Sequence, residues 1–386
     1  MLLVDRNKLT TFFFLLAYTT FYAFAMFGHI AGIGGYLKNI TYFGIAILLI
    51  LFFTRLHDYY AKEGIIFFIL ILWSLFIGYR VGDYGYFKLI LMITVSKNID
   101  FNKCIKYDVF LRLLTIVLMY FLWRAGIAPD TTLAFGTIMR HSMGFQNPNH
   151  FGLLVFILIL ECLYLARMKF HFWLYAALIA ILVFEDRIAG SRTSEVYSIA
   201  LLIFTAFYAK WPNAFKKKGW QIFMQLNYVI CAVLTAVSAH MMESGSQTMK
   251  ALDSAFSGRI TNVVYYNQLL GPTILGHSIS FGNRTCDNLY AYLAICSGIL
   301  VFIAVTVAYM LLIRDLYQYD NIPMAIAVFF LFAYGISERL WMNIDYNMMM
   351  LAFRQLIYHD VVPNIQMEKQ ETVCRIRNSW PIRNRM

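Results

Sequence analysis

Charged positions in this chain are sparse, and the apolar runs between them have membrane length. Nearly uncharged runs fall over 9–27, 39–54, 64–80, 86–97, 107–123, 151–166, 171–184, 193–209, 221–239, 286–313, 322–337 and 341–357. A helix crossing a bilayer needs ~20 apolar residues, with a range of ~17–25. The runs therefore predict about 12 spans, of which 86–97 and 171–184 are short. Backbone polar groups in lipid must be satisfied within the chain, so repeated runs of this kind predict an all-α, polytopic helix bundle. A membrane barrel would show alternating segments of ~10 residues, and none is visible. The first run follows Asp5, Arg6 and Lys8 and contains Phe12-Phe13-Phe14; its length predicts a retained signal anchor rather than a cleaved leader.

Composition agrees: 60% of residues are hydrophobic and 14% charged, against roughly 45–50% and 25% in soluble domains. The net charge of +11 raises nucleic acid as a partner, but the placement of the charge argues against it. Most Lys and Arg fall in alternate short loops, with Arg6 and Lys8, and in a basic tail over 358–386. The positive-inside rule makes that side cytoplasmic and puts both termini there. The opposite loops hold fewer cations and mostly arginine: Arg80, Arg124, Arg140, Arg187, Arg192, Arg259, Arg284 and Arg339. Two of these outer loops are long, 124–150 and 240–285, and loops of that length tend to be functional. No internal repeat or soluble domain is visible, so 1–386 reads as one integral membrane domain.

Six scattered cysteines without a CxxC pair suggest neither a zinc site nor a disulfide framework. The chain has no P-loop and no Asp-x-Asp pair of the kind that holds a divalent ion in many glycosyltransferases, so no metal and no cofactor is expected.

The most informative stretch is Arg140-His141-Ser142-Met143-Gly144-Phe145-Gln146-Asn147-Pro148-Asn149-His150-Phe151-Gly152, directly before an apolar run. Arginine stays charged and presents a planar fork that matches phosphate oxygens. Arg140, Arg187, Arg192 and Arg259 are thus candidates to clamp a diphosphate at the outer surface. The competing reading is that they snorkel to lipid headgroups or pair with Glu185 and Asp186. Asn147-Pro148-Asn149 is turn chemistry, and Asn149 or His150 is placed to cap the helix beginning near Phe151. His141 is a candidate general base, because histidine titrates near neutrality. His150 and His277 are further polar candidates.

Arg284 and Asp287-Asn288-Leu289-Tyr290, followed by Gly298, sit at the outer entrance of a long apolar run. Asp287 and Asn288 read either as a helix cap or as groups for a sugar hydroxyl, and Tyr290 either as an interfacial anchor or as a substrate contact. Asp108 and Arg112 read as an ordinary i, i+4 pair, and Glu161 and Arg354 as charges that reach the inner interface.

At these residues the chain resembles the polysaccharide repeat-unit polymerases of bacterial capsule and exopolysaccharide pathways (the Wzy type), within the O-antigen polymerase/ligase superfamily. The stretch 140–152 carries the resemblance, and Ser191-Arg192-Thr193, Ser257-Gly258-Arg259 and Asp287-Asn288-Leu289-Tyr290 follow in the same order. The related ligases usually carry a histidine in the late outer segment. Asp287-Asn288 at that place favours a polymerase, while His277 upstream keeps a ligase-like transferase open.

The resemblance implies a glycosyltransferase with a GT-C-like membrane architecture, acting at the outer face of the cytoplasmic membrane. Donor and acceptor would both be glycans linked to undecaprenyl diphosphate, with the bilayer and other polysaccharide export and chain-length proteins as partners. Arg192 and Arg259 would hold the diphosphate with Arg140 near it, and His141 or Asp287 would orient or deprotonate the acceptor. A transporter of the same lipid-linked sugar and a non-catalytic scaffold are the alternatives.

Overall fold

The computed structural model describes residues 6–30, 32–135, 138–255, 257–278, 285–339 and 344–358. Arg284 and nearly all of the basic tail lie outside them. The described residues are mostly helical. The chain opens with α1 (Arg6–Phe27), α2 (Gly34–Thr54), α3 (Ala61–Val81), the short α4 (Gly85–Val95) and α5 (Phe101–Arg124). A hairpin of β1 (Thr132–Phe135) and β2 (Ile138–His141) interrupts the helices, pairing Thr132 with His141 and Leu133 with Arg140. Then come α6 (Pro148–Leu165), α7 (Phe172–Ile188), α8 (Arg192–Lys210), the single turn α9 (Pro212–Phe215), α10 (Lys218–Glu243), α11 (Gln247–Ala255) and α12 (Arg259–Leu269). The last part holds α13 (Leu289–Ala291), a π-helical turn Tyr292–Ser297, α14 (Ile299–Gln318) and α15 (Ile322–Tyr334). Two 3-10 segments, Ile344–Tyr346 and Met348–Arg354, lead into α16 (Gln355–Tyr358).

Six helices, α1, α2, α3, α6, α10 and α14, are long and apolar enough to cross a membrane. This is an all-α membrane protein. The runs read over 107–123, 171–184 and 193–209 are helical too, as α5, α7 and α8, but they are shorter or more charged. α2 and α3 turn large apolar side chains outward, among them Phe43, Phe53, Phe68 and Ile69, as lipid-facing helices do. α6 and α15 are buried on nearly every side and form the centre of the bundle.

Two expected spans are corrected. The run over 286–313 is not one helix, because the chain breaks at Gly298, which has φ +99°. A Cβ there would lie 2.5 Å from Gly276 N and 2.6 Å from Ile274 O, so the break lets the segment Gly271–Ser278 pack on the start of α14. Ile299 N donates to Thr273 O at 2.8 Å across that contact. The run over 341–357 is not an α-helical span either: its described part forms the 3-10 segments and α16, buried in the core.

The polar contacts sort into two faces. On one, the start of α1 meets the turn after α2 through Arg6 and His57, and Lys97 after α4 pairs with Glu63 of α3 at 2.6 Å. Arg55 Nη1 donates to Val95 O, Arg55 Nη2 to Lys97 O, and Arg354 Nη1 to Ser96 O, so cations satisfy the carbonyls at the end of the short α4. Arg354 is 1% exposed and does not reach an interface, which corrects its sequence reading. On the opposite face, His29 donates to Gly144 O at 2.6 Å, and Tyr292 Oη donates to Asp83 at 3.2 Å. The hairpin, the starts of α6, α8 and α12, and the turn after α15 gather there.

Candidate functional site

The start of α6 is the frame of the site. Asn147 caps it: its Oδ1 accepts from His150 N at 3.0 Å, and Pro148 follows at the first helical position, where no N–H is needed. Asn149, one residue on, accepts from Arg140 Nη2 at 2.9 Å, while Arg140 Nε donates to Ala189 O at 2.7 Å. Arg140 therefore spans from α6 to the turn between α7 and α8. Gly152 permits that proximity. A Cβ on it would lie 2.4 Å from Ser191 Cβ and 2.7 Å from Ser194 Oγ, so the first turns of α6 and α8 touch only because it is glycine. Glu185, fully buried in the last turn of α7, accepts from Ser191 N at 3.0 Å and holds the same turn from beneath.

Arg192 is the first residue of α8 and is exposed. Arg259 is the first residue of α12. Asp253 fixes the start of that helix, because its Oδ1 accepts from Ile260 N at 2.7 Å and Thr261 N at 3.1 Å. Gly258, at φ +80°, makes the turn into it. The Arg259 fork then reaches two elements: Nη1 donates to Thr193 Oγ1 at 2.9 Å, and Nη2 to Glu338 Oε1 at 2.5 Å. Burial holds Arg140 below the ordinary arginine pKa, and the nearby charges of Arg192 and Arg259 add to the effect, with Glu185 opposing. Three loops far apart in sequence thus bring Arg140, Arg192 and Arg259 within electrostatic reach of one another. Such a cluster suits a multiply charged anion.

An acidic and mixed group lies beside it. Glu338, half-buried in the turn after α15, is raised to about 7 by burial, with Arg259 and Arg339 opposing the rise and Asp287 adding to it. Arg339 lies over the Tyr292 ring at 4.7 Å. Asp287 accepts from Thr285 Oγ1 at 2.9 Å and lies within electrostatic reach of His150. The His150 ring lies 5.7 Å from the Tyr346 ring. Arg259 also lines a cavity of about 430 Å³ between α10, α11 and α12, otherwise walled mainly by apolar residues such as Leu234, Met241, Leu252 and Val263.

Other expected site residues have different surroundings. His141 leaves β2 on the face opposite Arg140. Its Nδ1 lies 2.6 Å from Asp130 Oδ2, and its ring lies 5.9 Å from Trp123. The carboxylate only accepts, so Nδ1 carries the proton. No described contact ties His141 to the three arginines. Arg187 is exposed in the last turn of α7. Asn288 is buried with both ends of its amide used: Nδ2 donates to Ile336 O at 2.8 Å and Thr235 Oγ1 at 3.0 Å, and Oδ1 accepts from Ala291 N at 2.9 Å. It braces the turn that carries Glu338. Tyr290 is buried, not interfacial, and its hydroxyl donates to Phe332 O at 2.6 Å. His277 fastens its loop, with Nε2 3.0 Å from Gly271 O and its N–H donating to Cys296 O at 3.0 Å.

A second polar cluster lies within the bundle, where sequence suggested an ordinary pair. Arg112 Nη2 meets Asp108 Oδ2 at 2.8 Å and Arg112 Nε meets Glu161 Oε2 at 3.1 Å, with all three side chains fully buried. Arg112 also donates to Tyr346 O, Tyr18 Oη donates to Asp108 at 2.8 Å, and Met348 N donates to Asp108 at 3.3 Å. The triad ties α1, α5 and α6 to the 3-10 segments. Glu161 thus does not reach the interface. Among the described residues, no three His, Cys, Asp or Glu side chains converge as a metal site would require.

Sequence reasoning missed Glu338 and Asp130. Both are single acidic residues in turns, and only a fold shows what they face. Comparison with known protein families, curated proteins and solved structures found no match.

Proposed function

We propose that this chain is a membrane glycosyltransferase that polymerises undecaprenyl-diphosphate-linked repeat units at the outer face of the cytoplasmic membrane. The observation that carries the reading is the convergence of Arg140, Arg192 and Arg259 beside an apolar cavity that Arg259 itself lines. A lipid diphosphate needs that pairing: cationic forks for its head and a greasy channel for the start of its chain. The resemblance of 140–152 to repeat-unit polymerases supports the same reading, as does a charge asymmetry of the kind expected if this face is turned outward.

In this reading the acceptor sugar hydroxyl attacks the anomeric carbon of the donor glycan. The bond to undecaprenyl diphosphate breaks, and the charge gathering on that leaving group falls among arginines already in place. Asp287 and His150 are the polar groups this reading assigns to the acceptor sugar. The test is the size distribution of lipid-linked glycan in cells with and without the protein, and with Arg192→Ala or Arg259→Ala. Loss of long chains, with single repeat units persisting on the outer face, is expected. Normal chain lengths in both variants would remove the arginine assignment.

One observation favours a second reading. The buried Asp108–Arg112–Glu161 triad is the kind of intramembrane charge cluster that marks transport pathways. A flippase for the same lipid-linked sugar would leave repeat units on the inner face alone when deleted, which separates it from a polymerase.

A further inference from the structure

The Arg259–Glu338 ion pair occupies one edge of the fork that a diphosphate would take. We propose that Glu338 is the general base of the transfer, held by Arg259 while the site is empty and released when the donor diphosphate takes over that arginine. The inference rests on the polymerase reading.

In the step that follows, the acceptor oxygen forms a bond to the anomeric carbon. The bond from that carbon to the diphosphate oxygen breaks, and its electron pair leaves with the diphosphate. The hydroxyl proton passes to the Glu338 carboxylate.

The position of Glu338 is fixed independently of Arg259. Its N–H donates to Tyr334 O at 3.1 Å, Leu289 N donates to Gly335 O at 2.8 Å, and Asn288 Nδ2 donates to Ile336 O at 2.8 Å. Losing the arginine therefore frees the carboxylate without freeing the backbone. The charged and titratable groups facing it are Arg259 from α12, Arg339 beside it, Asp287 from the loop before α13, Tyr334 of α15 and Tyr346 of the 3-10 segment. Burial already brings Glu338 to about 7, where a base works best at neutral pH. Arg259 opposes that rise, so its transfer to a diphosphate raises the proton affinity further and strengthens the base as the donor arrives. His141, the base expected from sequence, is engaged with Asp130 on the other face of its strand.

The experiment uses membrane vesicles from a strain that lacks this protein and accumulates its lipid-linked repeat unit. Purified full-length wild type, Glu338→Gln or Glu338→Asp is added, and the glycan ladder is followed from acid to mildly alkaline pH. Binding of undecaprenyl diphosphate is measured separately for each protein. Wild-type rate should fall as pH drops, with a midpoint above the value of about 7 that Glu338 has while paired with Arg259. Glu338→Gln should lose ~100-fold or more in rate, lose that pH dependence, and bind undecaprenyl diphosphate at least as tightly as wild type, because a competing carboxylate is gone. Glu338→Asp should keep part of the rate. Wild-type rate and pH profile in Glu338→Gln would overturn the proposal. So would loss of diphosphate binding in that variant, which would make Glu338 a support for Arg259. A wild-type protein that builds no ladder would instead overturn the polymerase reading beneath it.

Discussion

Arg140 and His141 are adjacent in sequence and leave β2 on opposite faces. Arg140 reaches Asn149 and Ala189 beside the other arginines, and His141 reaches Asp130 and Trp123. The two substitutions should separate accordingly. Arg140→Ala should cut glycan polymerisation by ~100-fold or more, the scale for losing a charge-stabilising donor. His141→Gln, which can still bond Asp130, should change it only a few-fold. Equal losses in both, measured as ladder length from matched membranes, would show that the strand does not divide the site.

Gly152 makes a narrower prediction. Alanine there places a methyl group against Ser191 and Ser194, and neither side chain is long enough to swing away. Overpacking of this kind costs ~1–3 kcal/mol. The detergent-solubilised Gly152→Ala protein should unfold at lower temperature. Because α8 begins at Arg192, its polymerisation should suffer more than its fold. Wild-type melting and activity in Gly152→Ala would contradict the close approach of α6 and α8.

The buried triad predicts a non-additive series. Arg112→Met strands two buried carboxylates, and breaking a buried pair typically costs ~3–5 kcal/mol. Neutralising the partners as well, in Asp108→Asn/Arg112→Met/Glu161→Gln, should recover much of the loss, because no unpaired charge is left in the bundle. Thermal unfolding of the single and triple variants reads this directly. A single variant as stable as wild type would mean the three charges do not depend on one another.

The Asp130–His141 contact predicts an acid limit for the hairpin. Burial works to raise the Asp130 pKa, but the hydrogen bond and charge of His141 and the Ser142 N–H outweigh it and hold the carboxyl below its usual value. A carboxyl depressed in the folded state stabilises above its unfolded pKa of ~3.9 and loses that contribution as pH falls through the folded value. The melting temperature of wild type should therefore exceed that of Asp130→Asn by a margin that is full above about pH 4 and shrinks below it. A margin that is absent at neutral pH, or that does not shrink in acid, would place the acid limit of the hairpin elsewhere.

The arginines were legible because a charge at the edge of an apolar run stands out in any membrane sequence. Arg140, Arg192 and Arg259 needed no fold to be singled out. The Asn-Pro-Asn turn was readable too, but the cap is Asn147 and the helix starts at Pro148, where the sequence reading put the cap at Asn149 or His150 and the start near Phe151. Glu338 and Asp130 were not legible, since one acidic residue in a short turn looks the same whether it faces solvent or an arginine. Asp108, Arg112 and Glu161 misled in the opposite sense. An i, i+4 pair is a local pattern, and nothing local places Glu161 from another helix against it.

The sequence by itself determined that the chain is a helical membrane protein, where most of its helices lie, and which cations beside the apolar runs stand out. Those properties follow from apolar run length and charge spacing, which act locally along the chain. Only the tertiary structure decided that Gly298 breaks the run over 286–313, that Ile344–Tyr346 and Met348–Arg354 pack as 3-10 turns, and that Arg259 meets Glu338 across 79 residues. Those outcomes depend on which buried donors and acceptors find one another where water cannot serve, and sequence spacing does not carry that information.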